Sequence, residues 1–268
     1  MIAAGRAPFG RRAACVTARE QHGAYVVLRC HDLGGPEPRA GQFYMLSSAE
    51  RWGGGEGERP FLPRAFSVLR AHGRELHFLV EDVGPGTRRL TELEPGDELL
   101  LVGPLGNGFA EPREGRTPLL VGGGVGIAPL AIWQDQLGRA AQALLGFRDR
   151  VHAAGAALLQ DATVATDDGS VGHHGLITDL LEDELDARAE QLEIYACGPP
   201  AMLEAVRAMC VERAVPAQLA LESGMACGFG ACFGCVVPTL DGYVRLCLDG
   251  PVLDAEILRT AAPAGAGH

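Results

Sequence analysis

Cys227, Cys232, Cys235 and Cys247 stand at the spacing C-x4-C-x2-C-x11-C, and cysteines at such intervals bind metals through their thiolates. The first three match the plant-type pattern that holds a [2Fe–2S] cluster. Gly228, Gly230 and Gly234 are interleaved with them. A loop folded around a cluster needs such residues, because positive φ and close backbone approach let N–H groups donate to sulfur. Four thiolates also suit tetrahedral zinc. Zinc ribbons pair one C-x2-C with another, however, and a four-residue gap stands in its place here. A structural disulfide pair is a third reading. The spacing favours iron–sulfur.

Four further motifs address phosphates and rings. Val121-Gly-Gly-Gly-Val-Gly-Ile-Ala-Pro129 places Gly122, Gly123, Gly124 and Gly126 between an apolar run and a helical pattern. Glycines there admit a pyrophosphate to the backbone, and the helix start offers free N–H groups. The order departs from G-x-G-x-x-G, and an ordinary tight turn is the plainer alternative. Cys197, Gly198 and Pro199 likewise follow an apolar run and open a helix. Cys197 is either a small buried residue or, paired with the glycine turn, part of a nicotinamide pocket. Arg64-Ala-Phe-Ser-Val68 offers a guanidinium fork for phosphate and a hydroxyl for a flavin ring nitrogen; a surface ion pair is its ordinary use. Gly84-Pro-Gly86-Thr87 is a second anion-binding turn. Asp149 is a candidate for an adenine ribose, while its neighbours Arg148 and Arg150 would favour a 2′-phosphate. His173 and His174 sit in a glycine-rich loop and read as exposed. No Ser/His/Asp nucleophile set is present.

These motifs need a scaffold of two kinds. From Ala14 to Pro112, short apolar runs such as Tyr25–Leu28, Phe43–Leu46, Leu76–Val80 and Glu98–Val102 alternate with Gly/Pro/Asp clusters. That pattern predicts an antiparallel barrel or sandwich with one short helix over Thr87–Leu93. A glycine loop is expected at 53–57. Beyond Arg116, buried strands (Pro118–Val121, Ala143–Phe147, Ala162–Ala165, Leu192–Ala196) alternate with helical stretches (Ala128–Leu137, Leu176–Leu185, Pro200–Arg213), which predicts a parallel sheet flanked by helices. Regularity stops after Pro216, and Cys247 lies in Tyr243–Leu248, which reads as a strand. Within 268 residues the net charge is −11, which argues against nucleic acid because phosphate binding needs clustered Lys and Arg. No stretch reaches the length of a membrane span, and the arginine-bearing start lacks the apolar stretch of a signal peptide. Eight cysteines, four of them scattered, fit a reducing cytoplasm.

In order, the motifs resemble the ferredoxin–NADP reductase superfamily, and more narrowly the electron-transfer subunits of NAD-linked dihydroorotate dehydrogenase. Those proteins carry R-x-x-S-[IV], G-x-G-T, G-P-L-G-x-G-F, G-G-G-x-G-x-A-P-L, C-G-P-x-x-M-L and M-x-C-G-x-G-x-C-x-x-C with a later C-x-D-G-P. Here they stand at 64–68, 84–87, 103–109, 122–130, 197–203, 225–235 and 247–251. The resemblance implies a multidomain β plus α/β fold: a flavin-binding antiparallel β-barrel (1–113), a parallel-sheet NAD-binding domain (114–215) and a C-terminal [2Fe–2S] segment (216–268). By position, Arg64, Ala65, Phe66, Ser67, Leu79, Val80, Glu81, Gly86 and Thr87 would contact FAD. Gly122, Gly123, Gly124, Gly126, Cys197, Gly198 and Pro199 would contact NAD. Two positions depart. Ala65 replaces a common proline, and Glu81 replaces a frequent arginine that Arg88 or Arg89 would have to substitute. The implied activity is electron relay from an FMN-containing dihydroorotate dehydrogenase catalytic subunit, within a heterotetramer, through the cluster and FAD to NAD+. Rival readings are a related reductase subunit of a sulfide dehydrogenase, bifurcating transhydrogenase or hydrogenase, and a non-catalytic zinc- or flavin-binding regulator.

Overall fold

The structure, a computed structural model, describes residues 10–53, 60–138 and 141–262. The start of the chain before Gly10 and most of the glycine loop expected at 53–57 therefore lie outside the described residues.

Six strands, β1 (Arg12–His22), β2 (Tyr25–His31), β3 (Phe43–Ser48), β4 (Arg64–His72), β5 (Glu75–Glu81) and β6 (Glu98–Leu105), close into a barrel of order β1-β2-β5-β4-β3-β6. Every neighbouring pair is antiparallel. All six residues of β3 are buried, because its inner face lines the barrel and its outer face is covered by other parts of the chain. Helix α1 (Pro85–Thr91) follows β5. It begins two residues before the expected start because Pro85 suits a first-turn position, where a missing N–H costs little.

The second half runs β7 (Thr117–Gly123), α2 (Ile127–Leu137), β8 (Gln142–Phe147), α3 (Arg150–Ala153), β9 (Ala162–Thr166), β10 (His173–His174), α4 (Ile177–Arg188), β11 (Leu192–Cys197), α5 (Pro200–Glu212) and β12 (Ala217–Ala220). After these come β13 (Val236–Thr239), β14 (Gly242–Arg245), a single turn α6 (Leu246–Asp249) and β15 (Val252–Asp254). The main sheet has the order β10-β9-β8-β7-β11-β12-β15 and is parallel except for β15. Strands β13 and β14 form a separate hairpin.

Two expectations need correction. Regular structure continues past Pro216: β12 pairs with β11 (Ile194↔Ala217), and β15 returns to pair with β12. The cysteine segment thus leaves and re-enters the sheet, although 216–268 reads in sequence as a separate unit. Four small or amphipathic residues carry too little local pattern to announce a strand. Cys247 lies on the α6 turn, not on a strand. Leu246 and Cys247 are both 0% exposed, and consecutive residues of a strand point to opposite faces, so a helical turn is what lets both enter one core.

Two buried clusters hold the molecule together. One joins the barrel (Leu28, Tyr44, Phe78) to α2 and β8 (Ile127, Leu130, Trp133, Leu145). The other joins β7, β11, α4 and α5 to Phe43 and Met45 of the barrel and to Cys235, Val237, Leu246 and Cys247. Each large apolar side chain so buried contributes about 1.5–3 kcal/mol, so the cysteine segment is held by the same cohesion as the rest. Arg70 of β4 reinforces the first junction, pairing with Asp135 of α2 and donating to the Leu158 carbonyl at 2.5 Å.

Candidate electron-transfer site

The flavin motif lies where the barrel wall splits. Arg64–Ser67 of β4 pairs with β3 (Leu46↔Arg64, Phe43↔Ser67), whereas pairing with β5 ends at Val68↔Phe78. The facing edges of 64–67 and 79–81 are left free of ladder partners, so a slot with main-chain hydrogen-bonding groups opens between them. Ala65 is exposed there, and Phe66 and Ser67 are half-buried. Leu79 and Val80 belong to the buried core, so their side chains do not face the slot.

At the outer end of the slot, the Arg64 guanidinium lies over Gly86. A Cβ on Gly86 would meet Arg64 Nε at 2.7 Å. Arg64 donates to the Leu62 carbonyl at 2.6 Å and sits 5.9 Å from the Trp52 ring, and among the described residues it has no carboxylate partner. Thr87 Oγ1 accepts from the N–H groups of Val83 and Gly84 at 2.9 and 3.0 Å, which fixes the turn beneath the arginine. Arg88 and Arg89 do not substitute at Glu81: they pair with Asp82 and Glu92. An unpaired guanidinium over a glycine turn, at the mouth of a backbone-lined slot, fits the diphosphate and ring edge of FAD.

The two turns assigned to NAD meet each other. Strand β7 pairs with β8 on one side and β11 on the other, so the strand order reverses at β7, and Cys197 lies opposite Gly122. Ligands of open α/β sheets bind at such a crevice, beyond the carboxyl ends of the strands. Packing there is close: a Cβ on Gly126 would meet the Cys197 carbonyl oxygen at 2.5 Å, and one on Gly123 would meet Pro199 Cδ at 2.8 Å. Gly198 is equally confined, with Gly123 N at 2.9 Å from its Cβ position. Gly124 is open and left-handed, at φ 54°. Burial, and then the charge of Glu222, push the Cys197 thiol well above its usual range, so it is a neutral wall and not a nucleophile. Glu222 and Ser223, just after β12, carry no motif, and only the fold brings this segment towards Cys197. Ser223 has a buried hydroxyl without a partner among the described residues. Asp149 caps α3, accepting from the N–H groups of Val151 and His152 at 2.9 and 3.0 Å. His173 and His174 are exposed on β10.

The four cysteines form two pairs. Cys235 and Cys247 are buried, with their sulfurs 3.2 Å apart, too far for a disulfide bond. Cys227 and Cys232 interact at the other end of the loop. Although burial opposes it, the Cys227 thiol is held down at about 7 by N–H groups of Cys232, Phe229 and Ala231 and by the Cys232 side chain. Burial, then the neighbouring Cys235, raise Cys247 to about 12. Backbone N–H groups also approach sulfur at Cys232 (from Gly234, 3.4 Å) and at Cys235 (from Cys247, 3.5 Å). Among the described residues no three Cys, His, Asp or Glu side chains converge on one ion-sized point. Two thiol pairs ringed by N–H donors suit a two-iron cluster better than a single tetrahedral zinc. The loop also touches the barrel. A Cβ on Gly228 would meet Met45 Cγ at 2.5 Å, and Met45 is the cross-strand partner of Ala65, so cluster loop and flavin strand are near neighbours.

Known proteins match this architecture. Residues 222–259 match the family profile described as the iron-sulfur cluster binding domain of dihydroorotate dehydrogenase B. The electron transfer subunit of dihydroorotate dehydrogenase B (NAD(+)) from Caldanaerobacter subterraneus subsp. tengcongensis is 38% identical over 83% of this chain and 87% of its own length. The same subunit from Geobacillus kaustophilus is 42% identical over 73% and 79%. Among solved structures, the NADH-dependent reduced ferredoxin-NADP oxidoreductase studied for flavin-based electron bifurcation superposes with a TM-score of 0.74 at 26% identity, covering 94% of this chain and 91% of that one. With a closed barrel, a parallel sheet and a cysteine segment in this order, the chain belongs to the family of electron transfer subunits of NAD(+)-linked dihydroorotate dehydrogenase B.

Proposed function

We propose that this chain relays electrons from the FMN of a dihydroorotate dehydrogenase catalytic subunit to NAD+, as part of pyrimidine biosynthesis in the cytoplasm, in a heterotetramer with that subunit. When bound, a [2Fe–2S] cluster and FAD supply the chemistry, since a cluster moves single electrons and a flavin converts pairs of them into hydride. The chain's own residues hold and orient these groups. Cys227, Cys232, Cys235 and Cys247 ligate the cluster. Arg64 and the Gly86–Thr87 turn grip the FAD diphosphate, and Ser67 with the free edges of β4 and β5 addresses the ring. Gly122–Gly126 and Cys197–Pro199 bind NAD, with the neutral Cys197 beside the nicotinamide. We assign 1–113 to FAD, 114–215 to NAD and 216–268 to the cluster, the last unit being anchored by β12 and β15.

One observation carries this reading: the cysteine loop rests on Met45, directly across the ladder from Ala65 of the flavin motif. The outward side of the loop suits the catalytic subunit. Cys232 is exposed. Phe233 and Tyr243, 63% and 78% exposed, line a depression of about 360 Å³ beside it, and large exposed apolar groups of this kind mark docking surfaces. No helix among the described residues is long and apolar enough to cross a membrane. The likeness to the bifurcating oxidoreductase supports a second reading, in which the same module serves another redox partner.

The test is an anaerobic absorbance titration with NADH, iron and zinc being assayed on the same sample, followed by co-expression with the FMN subunit. Flavin and iron–sulfur bands bleached by NADH, and dihydroorotate-driven reduction of NAD+ in the complex, are expected. A colourless, zinc-loaded chain that stays unchanged after reconstitution with iron and sulfide would refute the relay and favour a regulator. A coloured chain that ignores the FMN subunit would favour the second reading.

A further inference from the structure

Arg245 is a half-buried cation laid against the cysteine loop. It ends β14 opposite Val236 of β13 and stands two residues before Cys247. Its side chain reaches back over the loop that carries the other three cysteines. One guanidinium nitrogen donates to the Gly230 carbonyl at 3.1 Å, and the guanidinium carbon lies 4.9 Å from the centre of the Phe233 ring. Among the described residues no carboxylate pairs with the guanidinium. Asp249 of α6 uses Oδ2 to accept from the Arg245 main-chain N–H instead, at 2.8 Å. The loop is shaped around this contact. Gly230 is buried at φ 85°, and a Cβ there would meet Leu248 Cδ1 at 2.3 Å. Phe233 holds φ 57°, a left-handed conformation that a bulky side chain resists, and the cation over its ring helps to offset that cost.

The peptide between Gly230 and Ala231 gives the contact its meaning. Its carbonyl end accepts from Arg245, while its N–H end, on Ala231, acts on the Cys227 sulfur. The preceding peptide turns the Gly230 N–H towards Cys247. A hydrogen bond made at a carbonyl polarises the peptide and strengthens the bond that its N–H makes. One peptide unit therefore couples the arginine to a cysteine that ligates the cluster. We propose that Arg245 raises the reduction potential of the [2Fe–2S] cluster, through this peptide and through its own unpaired charge. Net charge and hydrogen bonds to sulfur are what set such potentials. An electron accepted among four thiolates adds negative charge, which a fixed cation close by stabilises. Arg245 also lines the depression beside Phe233 and Tyr243, where the catalytic subunit is placed above. Docking there would strip water from the guanidinium and strengthen its field. The inference rests on the cluster assignment above.

The test is a redox titration of the FAD- and cluster-loaded chain followed by electron paramagnetic resonance, with iron and flavin contents measured on each sample. Arg245→Gln keeps a hydrogen-bond donor and loses the charge. It is expected to make the cluster about tenfold harder to reduce, which is about 59 mV for a one-electron couple, while the FAD potential stays at its wild-type value. Arg245→Lys keeps the charge and is expected to recover most of that shift. An iron-replete Arg245→Gln with the wild-type cluster potential overturns the proposal. So does an Arg245→Lys shifted as far as Arg245→Gln, because the shape of the loop and not the charge would then be at work. Should Arg245→Gln lose its iron, Tyr243→Glu carries the same expectation. Tyr243 is exposed and stands two residues before Arg245, on the same face of β14, so a carboxylate there would claim the guanidinium. A wild-type potential in that variant also overturns the proposal. A wild type with no iron–sulfur signal after reconstitution with iron and sulfide overturns the cluster assignment, and the proposal with it.

Discussion

Gly126→Ala isolates the contact on which the coenzyme crevice depends. Gly126 has helical dihedrals, φ −63° and ψ −8°, which alanine adopts without strain. On propensity alone the change would stabilise the fold by about 0.4–1 kcal/mol, through a less flexible unfolded chain. Space dictates the opposite. The new Cβ would lie 2.5 Å from the Cys197 carbonyl oxygen and 2.6 Å from both the Cys197 carbonyl carbon and Gly198 Cα, about 1 Å inside normal carbon contact. All three atoms are backbone, tied to β11 by its ladders to β7 and β12, so no side chain can swing aside. Overpacking of this kind costs about 1–3 kcal/mol, which leaves a net loss of about 0–2.6 kcal/mol after the propensity gain. The two turns must part to make room, so NADH affinity should fall about tenfold while FAD and iron contents hold. Gly124→Ala is the comparison: it meets no atom within 4 Å but sits at φ 54°, and its cost is the left-handed strain alone, about 1–2 kcal/mol. Urea unfolding monitored by flavin fluorescence, with NADH titration of each variant, separates the two effects. If Gly126→Ala is as stable as wild type and binds NADH equally well, the close approach of the two turns is wrong.

Three other outcomes are expected. Cys235→Ser should strip most of the iron and the iron–sulfur absorbance while FAD stays bound; full iron retention would remove Cys235 from the ligand set. Arg64→Ala should weaken FAD binding by about tenfold or more, as loss of a charge-assisted phosphate contact does, and Arg64→Lys should recover only part of it because an ammonium lacks the fork; equilibrium dialysis against FAD reads both. Hydrogen bonding by Arg207, then by Ala261 N–H and Thr260, outweighs partial burial and holds the Glu204 carboxyl at about 2, below its ordinary 4.5. A carboxyl depressed in the folded state lends stability above its unfolded pKa and loses it as pH falls towards the folded one. Glu204→Gln should therefore lower stability at neutral pH and flatten the acid limb between about pH 4.5 and 2, as followed by circular dichroism; an acid limb identical to wild type would show that Glu204 does not anchor residues 260–261.

The cysteine spacing, the glycine turn after an apolar run, and the change from short alternating strands to strand–helix alternation were all readable along the chain. Each rests on local chemistry: metal ligands need fixed intervals, close approach to phosphate needs glycine, and the two scaffolds have different periods. Other features depend on segments far apart in sequence. Nothing local shows that β4 and β5 part after Val68↔Phe78 to open a slot, or that Gly228 seats on Met45. The strand at 217–220 forms because β11 presents an unpaired edge, and β15 closes it. Cys247 turns inward on α6 because it and Leu246 must share one core. Glu81 shows the division most clearly. Its type and place in the barrel strand stand in the sequence, but its partners Arg148 and His152 lie 67 and 71 residues away. Which charges meet across such distances is decided by packing of the barrel against the nucleotide-binding sheet, a non-local balance of burial and desolvation that no local pattern encodes.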